Sequence, residues 1–499
     1  MPWPSRPLRP RPLRATLIWT PTLTDSATNE LHAFFADAHV GVFHRRPDGI
    51  VLFEYDQPGK GTPLSLSLPR DRPHQPDAAG AWLDGLLPDR PVVRERWARE
   101  RGLPDAEPFT LLTAYGEDVA GAVSLTTRPD GPGPSSGPSI YASDDDIAAR
   151  IAAIRRESSS WIDPRVKPRM SLAGAQGKFT LARTPAGWGW PTWAMPSTHI
   201  LKPPSDEYKQ VEQLEHASLT LARAVGLAAP ESGVLTVLGE RTFIVERFDR
   251  ADGRRLHAED MNQALGRSTD DKYKVPAARV ARLLAEHGQD REFVRQLAFN
   301  AAIGNADAHA KNYSVLLAGD QARLAPIYDT VPTVLYPGHD ERYAMSIGNA
   351  RHPAGLTERN WRALAADAGL DGDQVWEDAQ AVMRQVAERY EDTYGEHLPD
   401  AHRQRVMRDH SRKLRKAIPT GNPVTPAMPT APGRDGARVR RGCTADCYYS
   451  TSPASTCTCA CGGEHHGKGN AGATGAGVQV VGGQAFIPAA SGDSQPADD

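Results

Sequence analysis

Asp307-Ala308-His309-Ala310-Lys311-Asn312, followed after a short apolar run by Pro326-Ile327-Tyr328-Asp329, is the stretch on which the fold reading turns. It sets a carboxylate and a carboxamide five positions apart, then a second carboxylate. Phosphoryl transfer uses that set: one Asp orients the attacking hydroxyl, while an Asn and another Asp hold Mg²⁺ against the phosphates. The competing reading has Asp307 capping a helix and Asn312 in a turn.

A kinase-like site also needs a Lys on a strand and a Glu on the next helix to orient it. Thr198-His199-Ile200-Leu201-Lys202 reads as a short strand, ended by Pro203-Pro204 because proline cannot donate to a sheet ladder. Val211, Leu214, Leu221 and Val225 then recur at helical spacing, and Glu215 lies beside that apolar stripe. The plainer alternative for Lys202 and Glu215 is a solvated lysine and a surface glutamate. Gly233–Leu238 and Thr242–Val245 read as a hairpin around Gly239-Glu240. Its second strand runs into Glu246-Arg247-Phe248-Asp249-Arg250, where the inter-lobe hinge of a two-lobed kinase would read adenine; the plainer alternative is a strand exit with a surface salt bridge.

Upstream, Met170-Ser171-Leu172-Ala173-Gly174-Ala175-Gln176-Gly177-Lys178 is a small-residue loop suited to close approach of backbone N–H groups to phosphate. It is not a Walker A loop. Leu172 stands where the first Gly would be, and Phe179 follows Lys178 in place of Ser or Thr.

The order of these pieces resembles the HipA family of bacterial Ser/Thr kinases, the toxins of type II toxin–antitoxin pairs. The similarity rests on Ser171–Lys178, His199–Lys202, Glu246–Arg250, Glu259–Gln263, Asp307–Asn312 and Tyr328-Asp329. Leu64–Pro69, Gly85–Pro88 and Gly116–Val123 resemble the family's N-terminal region. The resemblance implies an α+β protein. Its fold would be two-lobed and protein-kinase-like, with a small N-terminal α+β subdomain and a mostly helical C-terminal lobe.

It also implies roles. Asp307 would be the catalytic Asp, Asn312 and Asp329 the Mg²⁺ ligands, and Lys202 the phosphate-holding lysine oriented by Glu215. Gly174, Ala175 and Gln176 would contact the nucleotide, ATP, with Glu246 and Phe248 at the adenine hinge. Ser171 matches an autophosphorylated serine whose modification expels the loop. Similar proteins phosphorylate an aminoacyl-tRNA synthetase, arrest translation and are linked to persistence. They are restrained by a small helix-turn-helix antitoxin that binds operator DNA, so DNA would be contacted through that complex. Two other functions fit the same pieces: a phosphotransferase acting on a small molecule, and a non-catalytic corepressor of a helix-turn-helix protein. Gly177 and Ala306 depart from residues common at those positions in the family.

The chain has 499 residues, 39% of them hydrophobic and 24% charged, with a net charge of −3. Such a balance argues against general binding of nucleic acid through phosphate neutralisation. No apolar run approaches the roughly 18 residues of a membrane span. The Arg- and Pro-rich start lacks an apolar secretory core and reads as disordered or as the product of an upstream start codon. Cytoplasmic is therefore the expected compartment, with no membrane partner.

The expected organisation is a disordered segment over 1–35, the N-terminal subdomain over 36–126 and a linker over 127–145. A nucleotide-binding lobe over 146–252 and a helical catalytic lobe over 253–418 follow, then a low-complexity tail over 419–499. One helical stretch is expected near Trp82–Arg101. All cysteines fall in the tail: Cys443, Cys447, Cys457, Cys459 and Cys461, near His465. Clustered thiols and imidazole suit tetrahedral Zn²⁺, although this spacing is irregular for a zinc finger. The alternative is a redox-labile unstructured tract.

Overall fold

The computed structural model describes residues 29–131, 141–161, 173–192, 195–205, 208–336, 338, 342–352 and 356–418. It also describes a two-strand ribbon pairing Gln479–Val481 with Gln484–Phe486. Ser171 and the Cys443–His465 cluster lie outside these residues.

The N-terminal subdomain begins earlier than the composition suggests. Strand β1 (Glu30–Phe35) pairs on one side with β2 (Ala38–Arg45), which pairs with β3 (Val51–Tyr55). The boundary at residue 36 is thus corrected: Leu31 and Ala33 are fully buried, and β1 lies inside the sheet. The expected single helix near Trp82–Arg101 is two, α1 (Ala78–Gly85) and α2 (Pro91–Arg101). Leu86–Arg90 separates them, since Pro91 suits the first turn of a new helix but not the interior of an old one. After α3 (Pro108–Tyr115), β4 (Val123–Thr126) pairs with the other side of β1. Trp82, Trp97, Phe43 and Tyr115 fill the space between helices and sheet, with Trp82 stacked on Phe43 at 5.8 Å between ring centroids. Truncating such an aromatic to Ala costs about 3–5 kcal/mol.

The second lobe opens with α4 (Asp144–Arg156), capped reciprocally by Ser143 and Asp146. Its sheet contains β5 (Phe179–Thr184), β6 (Gly187–Gly189) and β7 (His199–Lys202). After α5 (Val211–Ala224) come β8 (Ser232–Val237) and β9 (Glu240–Glu246). The order is β6-β5-β7-β9-β8, all antiparallel. Ile147, Ile151 and Ile154 of α4 pack with Phe179 and Leu201 of the sheet, while Leu214 and Leu221 of α5 pack with Phe243 and Val245 in the larger core. Side chains alternate along a strand. With Leu201 turned to α4, Lys202 turns to α5.

From β9 the chain passes through Arg247-Phe248-Asp249 into a ribbon of β10 (Arg250–Ala251) and β11 (Arg254–Arg255). The last lobe is mostly helical, as expected, with one small sheet. β12 (Ala258–Asp260) precedes α6 (Met261–Ala264), α7 (Ala277–Ala285) and α8 (Asp290–Ile303). β13 (Ser314–Ala318) then pairs with both β12 and β14 (Gln321–Leu324). This small sheet brackets the Asp307–Asn312 stretch. Helices α9 (Glu358–Ala368), α10 (Gly372–Gly395) and α11 (Ala401–Ala417) complete the lobe around α8. Trp361, Val382 and Val386 are core residues, as their helical spacing predicts. Among the described residues no helix is long and apolar enough to cross a membrane.

Candidate active site

Lys202 ends β7 with its ammonium buried between two carboxylates, 2.7 Å from Glu215 Oε1 and 2.6 Å from Asp329 Oδ1. Glu215 reaches it because α5 lies against the sheet face that Lys202 faces. Burial works against the Lys202 charge, but Asp329 and Glu215 outweigh it and its pKa is raised. Burial likewise opposes ionisation of Asp329, and Lys202 overrides it, holding that carboxyl below the usual range. Glu215 is buried, but the Asp329 side chain is 46% exposed. Asp329 also adopts φ 52, in the left-handed region that Asp tolerates better than most residues.

Asp307 and Asn312 lie on an irregular loop held from behind by side chains. Gly304 ends α8 at φ 78, and a Cβ there would collide with Val334. Asn305 donates to Asn300 Oδ1 (2.8 Å) and accepts the Asp307 N–H (3.1 Å). Thr330, next to Asp329, also donates to Asn300 Oδ1 at 2.9 Å, so one amide steadies both segments. The helix-cap alternative for Asp307 does not occur: the N-cap of the 3₁₀ turn Ala310–Asn312 is His309. Asn312 donates its Nδ2 to the Asp307 carbonyl (3.1 Å), which leaves Oδ1 as the atom able to face a cation. Asn312 Oδ1 and Asp329 are oxygen donors, a set that fits hard Mg²⁺.

The small-residue loop stands above this group. Gly174 has φ +107, and a Cβ there would sit 2.5 Å from the Lys178 ammonium. Lys178 is buried, donates to the Ala173 carbonyl (2.8 Å) and lies over Trp161. Burial, reinforced by nearby Lys202, pushes it down to about 8. Gly177 presses on α4, where a Cβ would meet Ile154 at 2.5 Å. Ala175 is exposed and Gln176 half-buried on the same loop.

At the hinge, Glu246 keeps an exposed side chain and spends its N–H on Glu231. Phe248 packs on Tyr328, with 5.2 Å between ring centroids, immediately before Asp329. Lys202, Glu215, Asp329, Asn312 and Asp307 are thus brought to one cleft, with Gly174 and Phe248 at its borders.

Three residues of the cleft escaped the sequence reading. Tyr273 donates its hydroxyl to Asp307 Oδ1 at 2.8 Å, and burial followed by the Asp307 charge raises its pKa. Lys272 pairs with Asp89 of the N-terminal subdomain at 2.6 Å. Lys311, inside the quoted motif, pairs with Asp260 at 2.9 Å. The Asp89 and Tyr273 contacts join residues far apart in sequence, and no local pattern announces them.

Fold and cleft together define a two-lobed protein of the kinase-type phosphotransferases. The sequence matches the description HipA N-terminal domain over residues 31–126 and HipA-like C-terminal domain over residues 170–394, and the chain belongs to the HipA family. Y4mE of Sinorhizobium fredii, which carries a provisional kinase name, is 32% identical over 361 residues, covering 66% of this chain and 84% of that protein. The serine/threonine-protein kinase toxin HipA of Shewanella oneidensis is 26% identical over 367 residues, 67% of this chain and 82% of that one. The solved complex of Shewanella oneidensis MR-1 HipA with HipB and operator DNA superposes with a TM-score of 0.64. It covers 78% of this chain and 96% of that chain at 23% identity, a likeness of fold.

Proposed function

We propose that this protein is an ATP- and Mg²⁺-dependent Ser/Thr protein kinase. The observation that carries the reading is the Lys202 ammonium shared by Glu215 and Asp329, opposite the loop that bears Asp307 and Asn312. Lys202 would hold the nucleotide phosphates, and Glu215 keeps it aimed. Asn312 Oδ1 and Asp329 would hold Mg²⁺, which supplies charge neutralisation between the phosphates. Asp307 would accept the proton of a substrate hydroxyl as the phosphoryl group transfers. Among the described residues the Phe248 N–H and C=O make no hydrogen bond, so they remain for an adenine edge.

The proposed substrate is a component of translation, such as an aminoacyl-tRNA synthetase, with growth arrest as the result. The proposed partner is a helix-turn-helix antitoxin, through which operator DNA would be engaged. The relative's complex with HipB and operator DNA supports that partner. Phosphorylation of Ser171 would add about −1.5 to −2 charges beside the nucleotide and silence the enzyme by repulsion.

The test supplies γ-labelled ATP with and without Mg²⁺ in a lysate freed of small molecules, then with small molecules restored. Mg²⁺-dependent label in protein, including Ser171 after longer incubation, is expected. Label confined to a small molecule would replace this reading with that of a metabolite phosphotransferase.

A further inference from the structure

Asp89 lies in the break between α1 and α2, 85 residues before Gly174 and 183 before Lys272, yet it touches both. Its N–H donates to the Gly174 carbonyl at 3.0 Å, and its Oδ1 accepts the Gly174 N–H at 3.3 Å. Pro88 and Gly174 form a parallel bridge at the same point. The N-terminal subdomain therefore grips the small-residue loop by its backbone, at a glycine whose φ of +107 few other residues adopt.

Its other oxygen, Oδ2, takes the Lys272 ammonium at 2.6 Å; the Asp89 side chain is 8% exposed and that of Lys272 13%. Lys272 belongs to the turn at residues 268–274. Asp84, also from the N-terminal subdomain, holds the same turn by accepting the Thr269 N–H at 2.9 Å. The turn in turn holds the catalytic loop. The Lys272 carbonyl accepts the Ala310 N–H at 3.4 Å, and the Tyr273 hydroxyl donates to Asp307 Oδ1 at 2.8 Å. Among the described residues, Asp307 Oδ2 has no hydrogen-bond partner and stays available to a hydroxyl.

We propose that Asp89 is a positioning residue of the phosphotransfer site, holding the phosphate loop through Gly174 and the Asp307 carboxylate through Lys272 and Tyr273. The inference rests on the kinase reading above. On that basis the N-terminal subdomain completes the catalytic site instead of merely flanking it. Each arm has its own kinetic signature: loosening Gly174 weakens nucleotide binding, and loosening Tyr273 leaves Asp307 free to turn away from the hydroxyl. Misplacement of about 1 Å commonly costs on the order of a hundredfold in rate.

The test measures kcat and KM for MgATP in autophosphorylation of the full chain, with thermal midpoints alongside. Asp89→Asn is expected to raise KM and to lower kcat by on the order of tenfold or more. Asp89→Glu is expected to recover part of kcat. Tyr273→Phe, at a half-exposed ring, is expected to lower kcat with KM and midpoint unchanged. Should Asp89→Asn fail to fold, Asp89→Glu and Tyr273→Phe carry the same split. Wild-type kcat and KM in the Asp89 variants, or activity lost only in proportion to the folded fraction, overturns the proposal. Asp307→Asn run in parallel separates the two claims. Activity lost there but intact in the Asp89 variants overturns the positioning role alone. Equal activity in Asp307→Asn and wild type overturns the kinase reading, and the proposal with it.

Discussion

Two clusters of buried charge stand on either side of the hinge, and they are built on opposite rules. In the joint, Asp118 and Asp249 meet Arg247, Arg250 and Arg255. Every carboxylate oxygen there is partnered. Asp249 takes Arg247 at 2.9 and 2.7 Å, Arg250 at 3.0 Å and the Gly121 N–H at 2.7 Å. Asp118 takes Arg250 at 2.9 Å, Arg255 at 3.4 Å and the Ser197 hydroxyl at 2.6 Å. In the cleft, one ammonium serves two carboxylates, Asp329 is half open to solvent, and Lys178 has no carboxylate within ion-pair reach among the described residues. Closed charge, with every carboxylate oxygen engaged, fixes the N-terminal subdomain to the hinge. Charge left open to solvent is what a polyanionic ligand with a cation can complete.

The sharpest break of this contrast is in the joint. Asp249→Ala would strand Arg247 and Arg250 in the interior, and breaking a buried pair typically costs about 3–5 kcal/mol. Urea unfolding should register that loss; a variant as stable as wild type would show the joint to be dispensable.

Lys178 gives a pH test on the cleft side. Its folded pKa of about 8 lies below the ordinary 10.5. The folded chain therefore releases near pH 8 a proton that the unfolded chain keeps until about 10.5. Below pH 8 the buried charge is fully destabilising, and between the two values stability rises with pH, by up to about 3 kcal/mol. Wild type compared with Lys178→Met in urea from pH 7 to 11 should show that rise in the difference; a flat difference would mean the ammonium is not desolvated.

Smaller still is the folding effect of Asp329→Asn. With a half-exposed carboxylate the cost should stay within about 1 kcal/mol. The same change should remove the Mg²⁺-dependent protection by ATP, worth about 2.7 kcal/mol at a hundredfold excess over Kd. Protection retained in a thermal scan would take Asp329 out of the site. Asp130→Ala, which breaks only the exposed pair with Arg128, should leave the midpoint unchanged.

What the sequence made legible was local. A strand stopped by Pro203-Pro204 and followed by an amphipathic helix put Lys202 and Glu215 in register, because strand and helix periods decide which way side chains point. The spacing of Asp307, Asn312 and Asp329 announced the loop that carries them, but not their approach to Lys202, which depends on closure of two lobes. Strand β1 was absorbed into the Arg- and Pro-rich start that precedes it, though Leu31 and Ala33 alternate correctly. Asp89 looked like an ordinary residue within one long helix. Its importance comes from Gly174 and Lys272, contacts that only the folded chain supplies.

Asp307→Asn in the full-length chain tests the central claim most directly. It keeps the side-chain volume and removes the carboxylate proposed to orient the hydroxyl. Transfer of the γ-phosphate to protein should fall on the order of a hundredfold or more, while MgATP still raises the thermal midpoint as in wild type. Phosphotransfer near the wild-type rate in Asp307→Asn would contradict the account.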